Sequence, residues 1–237
     1  MISKSNILDV FGQAILDCLL GDKAAIITTE TSISEPDELP VSYLFRTYDE
    51  MPKIEQKALD LASGKVLDIG CGAGSHTLYL QNTKNLDIIA LDNSNGAINS
   101  CVKRGIKQAV CKNILSYNQE KFNTILLLMN GVGLVQSKAK LLDFLKHLKG
   151  LLTENGQILL DSSDIKYMYD KTDLEELDDY YGDLMFTISY KTLSTSFPWL
   201  FIDFENLKTI AAAVNLKCEK VITGENHDYL AKLTKIT

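Results

Sequence analysis

The residues whose types and spacing most directly imply chemistry are Val66-Leu67-Asp68-Ile69-Gly70-Cys71-Gly72-Ala73-Gly74. An apolar strand runs into a glycine-rich turn that opens a helix at Ser75, so the backbone can approach a ligand closely. The spacing is G-x-G-x-G. A dinucleotide-binding loop would be G-x-G-x-x-G, with its third glycine at position 75, where Ser75 stands. A pyrophosphate seats on the positive end of a helix N-terminus, and Asp68 beside the loop would repel it. A ligand with a cationic tail would be welcome there. One βα unit later a second strand ends in Asp92-Asn93, where a carboxylate can accept both hydroxyls of a ribose. Together these residues suit a nucleoside-like ligand whose tail is cationic rather than phosphorylated.

At these residues the chain resembles the class I, Rossmann-like S-adenosylmethionine-dependent methyltransferase family. The resemblance covers about residues 65–161 and, more loosely, the last two strands. It implies that Asp68, Gly70, Cys71, Gly72 and Gly74 hold the methionine part of the cofactor, and that Asp92 and Asn93 hold the ribose. The family's adenine contact after the third strand is usually acidic; here the position falls at Asn113, followed by Ile114, and the Asn113 side-chain oxygen can still accept from an amine. The family's methyl-facing residues after the fourth strand correspond to Met129-Asn130-Gly131-Val132-Gly133, which makes Asn130 a candidate for both cofactor and acceptor contact. The chain has no N/D-P-P-Y motif, so it is a poor match to the enzymes that methylate amino groups of nucleic-acid bases.

Outside this frame the candidates are sparser. Of three histidines, His147 sits in a leucine-rich helix and is expected to be structural. His76, just after the glycine loop, and His227, in a hairpin joining the last two strands, are the candidate bases, since a histidine titrates near neutrality. Either can equally be a surface or capping histidine. Methyl transfer is an in-line displacement, so alignment can supply most of the rate without a dedicated base. Arg46, in Tyr43-Leu44-Phe45-Arg46, is placed to meet the cofactor carboxylate, or simply packs on the sheet. Residues 164–201 combine many carboxylates with Tyr167, Tyr169, Tyr180 and Tyr181 and then Phe197-Pro198-Trp199-Leu200-Phe201. They form either a substrate cap, with Trp199 and Tyr167 touching the acceptor, or a surface loop or dimer contact.

The elements that must position these residues alternate regularly. Strands are expected at 66–69, 87–91, 108–111, 122–129 and 157–161, with helices from Ser75, over 97–104 and over 138–152. That rhythm predicts an α/β fold with a doubly wound, mostly parallel seven-stranded sheet. A helix over 204–214 and strands over 217–223 and 228–234 complete it, the last strand antiparallel. Residues 1–63 are expected to be an N-terminal helical extension or lid, with helices over 5–20 and from Asp49 to about Ser63. Residues 28–40 are expected to be a loop. Residues 64–237 form the methyltransferase domain, with 164–201 inserted after the fifth strand.

The chain of 237 residues is 46% hydrophobic and 23% charged, ordinary for a globular protein. Its formal net charge of −7 and scattered basic residues argue against a nucleic-acid partner. The five cysteines are widely spaced without a C-x-x-C, so no metal site is expected, and they suit a reducing cytoplasm. No apolar run reaches the roughly 18 residues of a membrane span. The expectation is a soluble, cytoplasmic enzyme that methylates a small molecule, as monomer or homodimer. A non-catalytic S-adenosylmethionine sensor or partner subunit is the main rival, distinguished by a closed acceptor pocket. A nicotinamide oxidoreductase is a third reading, opposed by Ser75.

Overall fold

The computed structural model describes residues 9–236. In chain order its first elements are α1 (Val10–Leu20), β1 (Ile26–Thr31), β2 (Asp37–Pro40), α2 (Lys53–Leu61), β3 (Val66–Ile69), α3 (Ser75–Asn82), β4 (Ile88–Asp92), α4 (Asn95–Lys103) and β5 (Ala109–Cys111). There follow β6 (Phe122–Leu127), α5 (Lys138–Leu151), β7 (Leu152–Ser163), α6 (Lys171–Glu176), β8 (Asp183–Tyr190), β9 (Leu193–Leu200), α7 (Phe204–Ala213), β10 (Leu216–Thr223) and β11 (Asp228–Lys235).

Seven strands form the main sheet in the order β10-β11-β7-β6-β3-β4-β5. The pairs β3–β4, β3–β6, β4–β5 and β6–β7 are parallel, and β11 runs antiparallel to both its neighbours. The sheet is the expected one. Its strands are apolar on both faces because helices cover both: Ile125 and Leu127 pack towards α5 and α7, while Leu126 and Leu128 join the layer under α2 and α3. Asn155-Gly156 lies inside β7 as a bulge, since Phe122 pairs with Leu152 but Thr124 with Gln157. Strand order reverses at β3, between β4 on one side and β6 on the other. In open α/β sheets the crevice at such a switch point is where ligands bind.

The N-terminal segment departs from its expected form. Residues 28–40 are not a loop: β1 and β2 form a hairpin that pairs with β8, and β9 completes a four-stranded antiparallel sheet, β2-β1-β8-β9. The helical extension is therefore part strand. Ile26-Ile27-Thr28-Thr29 is β-branched and favours extended backbone, but its partner, Thr28 opposite Ser189, lies far along the chain. Pro40 is tolerated because β2 is an edge strand. The N-terminal segment and the segment after β7 thus share one sheet, which we term the cap. One buried cluster, containing Ile15, Cys18, Ile27, Val41, Ile188 and Tyr190, holds α1 and this sheet together.

Helix α1 docks the cap onto the main domain. The Asp9 carboxylate accepts from Gly12 N (3.0 Å), which caps α1, and from Ser94 Oγ and Gly96 N (2.9 Å each), which caps α4 as well. The first four residues of the helix expected over 5–20 lie outside the described residues. Among the described residues no helix is long and apolar enough to cross a membrane.

Candidate functional site

The turn after β3 is held by three glycines in the left-handed region, Gly70 (φ 71°), Gly72 (φ 53°) and Gly74 (φ 84°). They differ in surroundings. A Cβ on Gly74 would lie 2.3 Å from Ile106 Cδ1, whereas at Gly72 the nearest atom is Phe11 Cε1 of α1, at 3.9 Å. Gly72 therefore presents bare backbone beside α1. Its N–H donates to Asp92 Oδ2 (3.0 Å), and Asp92 Oδ1 accepts from Ser94 N (2.9 Å). Burial pushes the Asp92 carboxyl up, against the pull of the Ser94 and Gly72 amides. The Cys71 thiol, 3.8 Å from Cys101 Sγ, is also raised well above its usual value, by that contact first and then by burial.

Asn93 and Asn113 are exposed. The Asn113 side-chain oxygen accepts from Leu115 N (2.9 Å) and so caps a short turn. Ile114 is buried, and His147 Nε2 donates to its carbonyl (2.8 Å), consistent with a structural His147.

Beside the glycine loop lies a buried polar cluster that the sequence only half revealed. Arg46, Glu55, His76, Asp68 and Asp161 are each no more than 9% exposed. Glu55, on α2, is at the centre: both its oxygens lie 2.5 Å from an Arg46 guanidinium nitrogen, and His76 Nε2 donates to Oε2 (2.6 Å). Burial raises the Glu55 carboxyl, but the His76 and Arg46 contacts outweigh it and leave it below the usual value. Arg46 also donates to Tyr43 O (2.8 Å) and stacks over that ring at 4.1 Å, while its buried Nε has no partner among the described residues. Asp68 accepts from Thr77 Oγ1 (2.6 Å), and burial raises its carboxyl. Asp161, at the end of β7, accepts from Met129 N (3.0 Å) and Asn130 N (2.7 Å), and burial followed by the Glu55 charge pushes it up to about 7. Glu55 and Asp161 escaped the sequence reading. The Pro-Lys-Ile-Glu start of α2 carries no chemical signature, and only the tertiary fold brings it against α3.

The loop after β6 joins cluster to cap. Met129 and Asn130 both have positive φ (61° and 55°), held by the two bonds to Asp161. The Asn130 amide is engaged at both ends, accepting from Ser162 Oγ (3.0 Å) and donating to Leu200 O (3.3 Å) at the end of β9. Three residues on, Trp199 packs against Gly133, where a Cβ would fall 2.0 Å from the indole. Phe186, Phe197 and Trp199 form a triangle with every ring centroid 5.8 Å from the next. The cap thus sets an aromatic face beside the loop that follows β6.

The structure does not bring His227 or Tyr167 into the cluster. They stack on each other, centroids 4.3 Å apart, and both are exposed. His227 borders a separate cleft of about 150 Å³ lined also by Asp164, Asp203, Lys220 and Tyr229. The hairpin does share the carboxyl edge of the sheet, but β7 and β6 stand between it and the switch point at β3.

A family model described as methionine biosynthesis protein MetW matches residues 54–152. None of the curated proteins matches. Among solved structures, the chain is similar to a SAM-dependent methyltransferase from Bacteroides fragilis in complex with S-adenosyl-L-homocysteine, at 37% identity and TM-score 0.89, over 97% of this chain and 95% of that one. More distantly, CalS10, an amino pentose methyltransferase from Micromonospora echinaspora, shares the fold at 13% identity and TM-score 0.59, covering 82% and 94%. The sugar N-methyltransferase KedS8 from Streptoalloteichus does so at 13% and 0.57, covering 78% and 85%. With the glycine loop at the switch point and a near full-length relative at that identity, the chain belongs to the S-adenosylmethionine-dependent methyltransferase family.

Proposed function

We propose that this protein binds S-adenosylmethionine across the carboxyl edge of β3 and β4 and transfers its methyl group to a small-molecule acceptor, an amine. The observation that carries the reading is the buried cluster beside the glycine loop, three carboxylates on one arginine and one histidine. Such a set is short of cations, and the cofactor's ammonium and sulfonium make up the deficit. The orphaned Arg46 Nε suits the cofactor carboxylate, with Glu55 fixing the guanidinium. Asp92 and Asn93 would hold the ribose, the open Gly72 backbone would admit the methionine part alongside Asp68, Gly70, Cys71 and Gly74, and Asn113 with Ile114 would border the adenine.

The cofactor, when bound, supplies an electrophilic methyl on sulfur. The chain's own task is to orient and to exclude water. Trp199, set against Gly133 and backed by Phe186 and Phe197, would form the acceptor's wall, and an aromatic face attracts an amine in its cationic form. Of the two candidate bases only His76 stands in the cluster; its Nε2 is committed to Glu55, so its reach would be through Nδ1. Asn130, with its amide engaged, would act by shaping the loop. The relatives described as amino pentose and sugar N-methyltransferases share this fold. The test is incubation with methyl-labelled cofactor and a panel of amines, alcohols and carboxylates. Label appearing on an amine supports the reading; binding of the cofactor without transfer to any acceptor favours a sensor instead.

A further inference from the structure

Asp161 differs from the other carboxylates of the cluster. Glu55 has Arg46 and His76, and Asp68 has the Thr77 hydroxyl. Asp161 is buried, and among the described residues it makes no ion pair; its bonds are to the Met129 and Asn130 amides. The titratable groups that face it are Glu55 from α2, His76 from α3 and Tyr229 from β11. Arg46, the remaining cation nearby, is spent on Glu55. A buried carboxyl beside another carboxylate resists ionisation, while two amide donors favour the anion. The two influences leave it poised near neutrality.

Resting on the cofactor reading above, we propose that Asp161 is the residue by which the protein tells the charged methyl donor from its neutral product: its carboxyl, divided between protonated and ionised forms in the ligand-free protein, ionises fully when a sulfonium enters the cluster. The donor and S-adenosylhomocysteine carry the same ammonium and carboxylate and differ by one positive charge at sulfur. A cation placed beside this cluster stabilises the Asp161 anion; a thioether does not. Donor binding then releases a proton to solvent, and after methyl transfer Asp161 takes one up as the sulfur becomes neutral. The discrimination also reaches the acceptor side, because the Asp161 oxygens hold the strained Met129-Asn130 pair, and Asn130 holds the end of β9 beside Trp199. Ionised Asp161 grips both amides more strongly than its protonated form, so the donor-bound state is the one in which the acceptor wall is most firmly placed.

The experiment is calorimetric titration of the protein with S-adenosylmethionine and, separately, S-adenosylhomocysteine at pH 7 in buffers of different ionisation enthalpy. The donor should release about half a proton more than the product, since a group titrating near 7 is about half protonated there. Donor affinity should rise several-fold from pH 6 to pH 8, with product affinity changing less. In Asp161→Asn the difference in proton release should vanish while both ligands still bind. Equal proton release for the two ligands in the unmodified protein would overturn the inference and leave the cofactor reading standing, and this arm needs no variant to fold. Release that persists in Asp161→Asn would assign the proton to another group, such as His76, and would also overturn it. Failure of either ligand to bind would instead overturn the cofactor reading, and the inference with it.

Discussion

Trp199 packs so closely on Gly133 that even a methyl group on that glycine would overlap the indole. This one contact ties the cap, built from both ends of the sequence flanking the parallel sheet, to the loop that follows β6. Gly133→Ala must therefore displace Trp199 or the loop. Overpacking of this kind costs about 1–3 kcal/mol. Denaturant unfolding should show that loss, and turnover on the acceptor should fall more than cofactor affinity does. An unchanged acceptor KM would remove Trp199 from the acceptor wall.

The Arg46–Glu55 pair makes a stability prediction independent of any ligand. Removing Glu55 as Glu55→Ala leaves a buried guanidinium without its counter-charge, and breaking one side of a buried pair costs about 3–5 kcal/mol. Glu55→Gln keeps the shape and one acceptor oxygen and should cost less. Equal, small losses for both would mean that water reaches Arg46 and that the pair contributes little.

Asp161 predicts a pH dependence of the ligand-free protein. Its folded value, about 7, lies above the ordinary carboxylate value of 3.8, so the folded state binds the proton more tightly than the unfolded chain. The stability this contributes is fully present below about pH 4 and is lost as pH rises through about 7. Replacing it as Asp161→Asn should flatten the decline in melting temperature between pH 5 and pH 8. A decline identical in both proteins would show that Asp161 ionises normally.

Asp92→Ala should weaken binding of S-adenosylmethionine by roughly 1.5–3 kcal/mol, the scale of a charged hydrogen-bond acceptor lost from a ligand. The Gly72 amide also loses its partner, so circular dichroism of the variant guards against an effect on the loop alone. Neither NAD nor ATP should compete at micromolar concentration, because Ser75 and Asp68 disfavour a phosphate at the α3 N-terminus. Competition by either would return the site to the dinucleotide reading.

The parallel sheet and its glycine loop were legible because their signals are local. Three glycines at fixed spacing, two-sided apolar strands and a strand-terminal Asp92 all lie within one stretch of chain. The cap was not. The stretch of threonines, serines and two prolines over 28–40 looks like a loop until its partner strand β8 is known, and that partner follows the whole parallel sheet in sequence. The cluster was half legible for the same reason: Asp68 and His76 adjoin the loop, whereas Glu55 and Asp161 gain meaning only from the packing of α2 and β7 against it. His227 was placed at the correct edge of the sheet, but an edge spans several strands, and sequence alone does not say which of them face the switch point.

The measurement that bears most directly on the central claim is transfer of label from methyl-labelled S-adenosylmethionine to a panel of small amines by the unmodified protein and by Trp199→Ala, with cofactor affinity measured in parallel. The account predicts that the unmodified protein labels an amine, and that Trp199→Ala binds the cofactor normally while acceptor KM rises or turnover collapses. Full turnover by Trp199→Ala, or label on a carboxylate or alcohol in place of an amine, would contradict it.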